Sequence, residues 1–495
     1  MAPVDDNPFP PGDYDVVVVG SGPGGLQTSY ELRSLGIRHA VLSADDAPGG
    51  MFQRFPVFER LITWTKPDAP FERGTREYEW FDHNSLLAEE PECRALVPQL
   101  MDRTFDAPSR EEMEAGLAAF AERARLEIRY GCRWESTRRE EDGFVLVTSD
   151  GEYRCRAAVF AIGVTEPWKA PIPGVENAAH YVDTGDPEQY RGRSVFIVGK
   201  RNSGFEVASG LLAWAARIVL ASPRPVDTAH IGRSPVRARY LQPLDEYERG
   251  GAAAYVVDAT IERIERHGGG YRVVAHGTTW PGELFFEVDH VLIATGFRTP
   301  FQDLPALGLA TVADGRIPAL TPFFESVSVP GIYFAGNTSQ GYSGLRKQGL
   351  GSNSSSVNGF RYNARILARH IAETRFGKQF DRPVLDRDQL LPYLLRELAL
   401  APELWVQKGY LARVVSINGE IRDEGIVPLE HFVDQAGPNA VAVTVEMNRN
   451  AEIHPAVYIR SSSRLIEAAL PAHPTRSFDS EQHRRELATL LDLVV

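Results

Sequence analysis

Cysteine is scarce in this chain: Cys93, Cys132 and Cys155 are the only three among 495 residues. No two of them form a Cys-x-x-Cys, which disfavours a dithiol–disulfide reductase and leaves each as a small core or surface residue. The twelve histidines show no His-Glu-x-x-His and no Cys/His ligand spacing, so no metal site is implied. There is no Ser-His-Asp signature, no internal repeat and no low-complexity tract. Basic blocks are missing too. A net charge of −13 disfavours nucleic acid and anionic membranes as partners. No run approaches the roughly 18 apolar residues of a membrane span. The start, Met1-Ala2-Pro3-Val4-Asp5-Asp6, has neither the basic region nor the apolar stretch of a secretory signal. Together these absences predict a cytoplasmic protein. A hydrophobic content of 43% and a charged content of 24% are ordinary for a globular chain, with length enough for about three folding units.

Glycine, by contrast, is placed with pattern. Gly20-Ser21-Gly22-Pro23-Gly24-Gly25 follows the β-branched run Asp15–Val19 and opens a helix-like stretch, Gly24 to Leu35, with Gly36 as its stop. His39–Ser43 reads as the next strand. Such a unit suits a dinucleotide. Gly20 and Gly22 let backbone N–H groups approach a pyrophosphate, and Gly25 lets the helix pack on the strand. Ser43 stands at the strand end where many flavin sites carry Glu. Asp45, about 20 residues past Gly25, is near the offset of a ribose-binding acid; the alternative is that Asp45 and Asp46 solvate a loop. Gly49-Gly50-Met51-Phe52 fits a chain passing close under a flavin ring.

A second turn, Gly199-Lys200-Arg201-Asn202-Ser203-Gly204, follows the strand Ser194–Val198. Arg201 replaces the middle glycine, where its guanidinium either crowds a pyrophosphate or grips it. The following strand, Ile218–Ala221, ends in Ser222-Pro223-Arg224. A cation there suits the 2′-phosphate of NADPH, although a plain surface arginine remains the alternative. Two such turns suggest two dinucleotides face to face, passing a hydride from a nicotinamide to a flavin.

Along the chain, Met1–Asp13 reads as a loose leader. Ser109 and Glu112 form a capping box before a helix Arg110–Arg125. Phe144–Thr148 and Tyr153–Arg156 read as a hairpin, and Ala157–Ile162 as a buried strand. Three prolines, Pro167, Pro171 and Pro173, mark a crossing into a second domain. Asp289–Ala294 returns as a strand, Gly331–Asn337 is another, and a loop Gly349–Ser356 precedes a helix Ser356–Glu373. The expected domains are 14–165 with 291–378 for FAD, 166–290 for NAD(P)H, and 379–495 as an extension. That extension starts helical (Asp388–Leu400), turns strand-like (Trp405–Ile417, Val441–Glu446, Ala456–Ile459) and ends helical (Asp479–Leu493). It suggests a cap over substrate or a homodimer contact.

Residues 14–375 resemble the two-dinucleotide-domain flavoproteins, typified by thioredoxin reductase and the class B flavin monooxygenases. The likeness rests on both glycine turns, Ala294-Thr295-Gly296-Phe297 and Phe334-Ala335-Gly336-Asn337. Without a cysteine pair it is poorer toward the reductases. Pro173-Gly174, His180 and Tyr190–Gly199 are similar to a flavin-monooxygenase fingerprint whose tail is altered at Tyr181 and Val182; His180 fits a structural hydrogen bond as well as a functional one. Arg54-Phe55-Pro56, Arg60-Leu61-Ile62, Lys66, Asn84-Ser85-Leu86-Leu87 and Asn202-Ser203 resemble flavoproteins like the endoplasmic-reticulum flavoprotein associated with degradation and its bacterial relatives. The resemblance implies an α/β fold of two Rossmann-like domains, the FAD domain interrupted by the NAD(P) domain, plus an α+β extension. It implies FAD near Gly49, Gly50, Phe52, Lys66, Asn84 and Gln348, with Lys66 and Asn84 as catalytic candidates, and contacts from Thr295, Gly296, Gly336 and Asn337. The implied activity is NADPH-dependent oxygenation of a small molecule, an amine as first choice, by O₂ captured as a C4a-(hydro)peroxide. Trp64 and Thr65 stand where class B monooxygenases often carry asparagine. That departure leaves open a flavin reductase or oxidase passing electrons to a quinone, a protein partner or O₂.

Overall fold

A computed structural model describes residues 7–58, 60–227, 236–347, 351–448, 450–461 and 464–494. The chain divides into two units: Met1–Gln53, Thr63–Val164 and Thr299–Val495 form one, Arg54–Ile62 and Thr165–Arg298 the other.

The first unit is organised on the strand Gly12–Val19, whose valines Val16 to Val19 are buried. It lies parallel between His39–Leu42 and Gly151–Phe160. Ile332–Phe334 adds a further parallel neighbour to the end of the latter. Gly151–Phe160 is one continuous strand, where the sequence suggested a hairpin arm and a separate buried strand. Its first half alternates in burial and pairs antiparallel with Gly143–Thr148; Ala157–Phe160 are wholly buried. The change of pattern marks the point where the antiparallel neighbour gives way to a parallel one and both faces are covered. Helices Pro23–Ser34 and Val357–Phe376 pack on each other. The helix Arg110–Arg123 opens with the expected capping box: Glu112 N–H donates to Ser109 Oγ at 3.1 Å and Ser109 N–H to Glu112 Oε2 at 2.7 Å. The expected loose leader is held from Phe9 onward, because the Tyr153 hydroxyl donates to Phe9 O at 2.9 Å and Tyr14 to Pro10 O at 2.8 Å.

The extension belongs to the same unit. Its antiparallel sheet has five strands in the spatial order Glu420–Pro428, Leu411–Asn418, Asn439–Met447, Ile453–Ser461, Arg464–Ala469. Helices Arg387–Leu400, Pro402–Val406 and Glu481–Leu491 contribute Leu394, Trp405 and Leu487 to a core shared with Val441 and Val443. The stretch read as strand-like from Trp405 begins as a helical turn instead. Pro402 at its first position fixes a helical φ, and Trp405 stacks on Phe478 at 5.3 Å while its indole N–H donates to Leu398 O at 3.0 Å. The strand starts at Leu411.

In the second unit a seven-stranded sheet runs Glu283–Val288, Gly270–Gly277, Ala254–His267, Arg217–Ser222, Ser194–Val198, His290–Ile293, Ala179–His180. The strands from Ala254–His267 to Ala179–His180 pair parallel. Ala254–His267 changes partner midway, parallel to Arg217–Ser222 and then antiparallel to Gly270–Gly277, as Gly151–Phe160 does in the first unit. The segment 54–62 docks on the helix Asn202–Leu211. Phe58 N–H donates to Glu206 at 3.0 Å, and a Cβ on Gly210 would stand 2.2 Å from the Phe58 ring. No helix among the described residues is long and apolar enough to cross a membrane.

Candidate functional site

Gly20 ends the first strand with φ +113°, and a Cβ there would lie 2.6 Å from Ala161 O. Gly25 sits directly on the turn: its Cβ would stand 1.9 Å from Gly20 O. Gly24 abuts the backbone of Gly336, 2.4 Å from Gly336 Cα to an added Cβ. These three glycines are demanded by the protein's own packing. Gly22 is not. Its φ is −72°, and a Cβ would meet nothing closer than Gly50 Cα at 3.7 Å. Gly22 caps the helix Pro23–Ser34 without any side-chain hydrogen bond, so the first-turn N–H groups of Gly24 and Gly25 receive no acceptor from the cap. A glycine that the fold does not need, beside unspent N–H groups at a positive helix end, fits an anionic pyrophosphate.

Around this cradle, Ser21 Oγ lies 2.7 Å from Ser43 Oγ, tying the turn to the second strand. Ser43 Oγ also accepts Asp45 N–H at 3.2 Å. The half-buried Asp45 carboxylate makes no hydrogen bond or ion pair among the described residues, which leaves its oxygens able to accept a hydroxyl. Gly49 N–H donates to Ser21 O at 3.1 Å, which carries Gly50 across Gly22; Phe52 follows, half-buried, in the turn Gly50–Gln53. Gly336 and Asn337 open the turn Gly336–Gly341, and Asn337 Oδ1 accepts Val164 N–H at 2.9 Å. The structure therefore brings Gly20, Gly22, Gly24, Gly25, Ser43, Asp45, Gly49, Gly50, Phe52, Gly336 and Asn337 into one neighbourhood.

The two catalytic candidates fare differently. Asn84 is fully buried, accepting from the Thr63 hydroxyl at 2.6 Å and donating to Thr63 O at 3.2 Å and Thr65 Oγ1 at 2.9 Å. Its amide is spent holding residues 63–65, so it is a structural tie. Lys66 is exposed, anchored through its backbone N–H to Phe81 O at 2.8 Å. Gln348 lies outside the described residues.

The second turn repeats the first. Gly199 has φ +125° and a Cβ there would lie 2.5 Å from Ala294 O; a Cβ on Gly204 would stand 2.2 Å from Gly199 O. Arg201 caps the helix Asn202–Leu211 with its side chain exposed, and Asn202 and Ser203 form the first turn. Asn202 Oδ1 accepts Arg237 N–H at 3.3 Å, which brings a further arginine beside the turn. Thr295 is internal: its hydroxyl donates to Trp168 O at 2.7 Å and accepts Ala170 N–H at 3.2 Å. Gly296 O accepts Trp168 N–H at 3.0 Å and lies 3.1 Å from His180 Nε2. His180 is thereby a structural hydrogen-bonder, lowered in pKa by burial. Ser222 ends its strand half-buried, and Arg224 is exposed with no partner among the described residues.

Three side chains had no signal in the glycine pattern. Lys200 is buried in an ion pair with Asp258. Arg237 comes from beyond the second strand. Gln407 of the extension, buried, accepts Asn353 N–H at 2.8 Å and donates to Asn363 Oδ1 at 3.0 Å, bracing the loop before the helix Val357–Phe376.

On that helix, Tyr362 donates to Glu79 Oε2 at 2.9 Å. Burial pushes the Glu79 carboxyl up to about 7, outweighing the nearby Arg361 guanidinium. The folded state thus holds this proton more tightly than the unfolded chain, whose value is 4.5. The stability Glu79 contributes is complete below that value and is lost as pH rises through about 7. Glu79→Gln, permanently neutral, is expected to gain on the wild type as pH rises. Melting temperatures of both proteins between about pH 5 and 8 check this; parallel curves would contradict it.

A family model described as pyridine nucleotide-disulphide oxidoreductase matches residues 17–336. A Danio rerio protein named FAD-dependent oxidoreductase domain-containing protein 2 is 24% identical over 489 residues, covering 87% of this chain and 68% of its own. A Thermus thermophilus ferredoxin–NADP reductase is 32% identical over 217 residues, covering 42% of this chain and 61% of its own. Among solved structures, a flavin-containing monooxygenase from Stenotrophomonas maltophilia superposes with a TM-score of 0.55 at 22% identity, over 74% of this chain and 99% of that one. The two glycine cradles and these matches agree: the chain belongs to the pyridine nucleotide-disulphide oxidoreductase family, a flavin- and pyridine-nucleotide-dependent family, and is a flavin oxidoreductase.

Proposed function

We propose that this protein is an NADPH-dependent flavin monooxygenase acting on a small heteroatom compound, an amine as first choice. The observation that carries the reading is the state of the thiols. Cys93, Cys132 and Cys155 are buried, and burial pushes each thiol up, Cys155 to about 12. Exchange-active cysteines need lowered pKa values and access. Electrons reaching the flavin therefore leave by another route, and dioxygen is an acceptor that needs no protein nucleophile. When bound, FAD supplies hydride acceptance and the reactivity of its reduced ring toward dioxygen. The chain supplies binding and orientation. The N–H groups of Gly24 and Gly25 would hold the FAD pyrophosphate and Asp45 its ribose. Arg201 would reach the NADPH pyrophosphate and Arg224 the 2′-phosphate.

Turnover under ¹⁸O₂ with a panel of amines and sulfides tests the reading. Label in the organic product supports it. Stoichiometric hydrogen peroxide with every compound overturns it in favour of a flavin reductase or oxidase, a reading to which the likeness with a ferredoxin–NADP reductase lends weight. For Arg224→Ala, loss of one charge-assisted contact of about 1.5–3 kcal/mol should cut the preference for NADPH over NADH by roughly ten- to a hundredfold. Anaerobic flavin bleaching with each nucleotide measures it; an unchanged ratio would remove Arg224 from the site.

A further inference from the structure

We propose that the Lys200–Asp258 ion pair is the specificity element of the second turn: Lys200 masks the Asp258 carboxylate and so reserves the strand end for a ribose carrying a 2′-phosphate. The proposal rests on the NADPH reading and names the residues that enforce it. Lys200 directly follows Gly199, yet its side chain is 1% exposed and its ammonium is bound to Asp258 Oδ1. It is therefore not a phosphate ligand itself. Asp258 lies in register with Ser222 across a parallel pair, so its carboxylate stands one strand away from Ser222-Pro223-Arg224. The Lys200 side chain spans the end of the intervening strand to reach it.

The other carboxylate oxygen is also taken, because Thr279 Oγ1 donates to Asp258 Oδ2 at 3.1 Å. The same turn is fixed from both sides: Thr278 N–H donates to Asp258 O at 2.8 Å and its hydroxyl to Pro223 O at 2.6 Å. An open carboxylate at this end of the sheet accepts the hydroxyls of an unphosphorylated ribose and repels a 2′-phosphate. Here it is neutralised and both oxygens are occupied. What faces outward are the exposed cations Arg201 and Arg224.

The test is calorimetric titration of the FAD-loaded protein with 2′,5′-ADP and with 5′-AMP, so that binding rather than turnover is read. The wild type is expected to favour 2′,5′-ADP at least tenfold. Lys200→Met should weaken 2′,5′-ADP about tenfold or more and leave 5′-AMP within about threefold, and Lys200→Met with Asp258→Asn should restore the preference. Should the single variant fail to fold, Asp258→Asn alone decides: it removes the acid and must keep the 2′,5′-ADP preference. Equal weakening of both probes by Lys200→Met, no rescue by the double variant, or loss of preference in Asp258→Asn each overturns the masking role. A wild type that binds both probes alike overturns the NADPH reading and this proposal with it.

Discussion

Gly22→Ala is expected to yield a folded protein that comes off the column without its yellow colour. The backbone there has φ −72°, open to any L residue, and the new methyl meets Gly50 Cα at an ordinary 3.7 Å. Exchange at a helix cap costs no more than about 1 kcal/mol. The ligand would be affected far more if it sits on this helix end, because the methyl is added at the cap, next to the N–H groups of Gly24 and Gly25. Losing two charge-assisted hydrogen bonds, at about 1.5–3 kcal/mol each, weakens FAD by a hundredfold or more. Gly25→Ala makes the contrast. Its Cβ would stand 1.9 Å from Gly20 O, so that variant should lose stability before it loses flavin. The ratio of visible to ultraviolet absorbance after FAD titration, read beside the melting temperature, separates the two effects. Wild-type flavin stoichiometry in Gly22→Ala would mean that the glycine serves no ligand, and the first cradle would lose its assignment.

What could be read from the sequence was whatever is local. The strand, turn and helix from Asp15 to Leu35 carry their own constraints of β-branched run, glycine spacing and stop, and the capping box at Ser109 is complete within four residues. Arg201 was equally visible as a departure from the turn. Contacts between distant segments were not visible. Gly24 is fixed by Gly336, and Lys200 by an aspartate on a strand with no motif of its own. Asn84 is marked in the sequence only by a family resemblance, and the threonines that consume its amide act only once residues 63–65 fold back onto it. In the extension, the β-branched and aromatic run from Trp405 favoured a strand, while the helical start at Pro402 and the stack on Phe478 decided otherwise. Segment 54–62 follows the first cradle in sequence, yet its contacts lie with the helix Asn202–Leu211, through Phe58 over Gly210 and the buried Glu206.

Arg76→Ala is expected to loosen the extension from the rest of its unit. The guanidinium donates to Glu397 at 2.7 and 2.9 Å and to Glu403 at 3.2 and 2.9 Å. Beside it, Trp80 stacks on Trp405 at 4.5 Å. The two carboxylates are 5% and 7% exposed. Glu397 keeps a second partner in Arg413 at 2.8 Å, whereas Glu403 has no other ion pair among the described residues. Removing Arg76 strands Glu403 as a buried charge. The cost of breaking a buried pair is about 3–5 kcal/mol, and the lower end applies because Arg76 is itself 37% exposed. Arg76→Lys keeps the charge but loses the planar fork that serves two carboxylates at once, and should fall between. Arg76→Ala combined with Glu403→Gln removes the stranded charge and should recover part of the loss, a coupling that chemical denaturation of the wild type, Arg76→Ala, Glu403→Gln and the double variant measures. The same loosening should carry to the loop braced by Gln407, since Glu403 and Gln407 lie on one short turn, with Gln407 N–H donating to Glu403 O at 2.9 Å. A loss below about 1 kcal/mol, with no recovery in the double variant, would class Arg76 with ordinary surface ion pairs and leave the aromatic stack as the element that holds the extension in place.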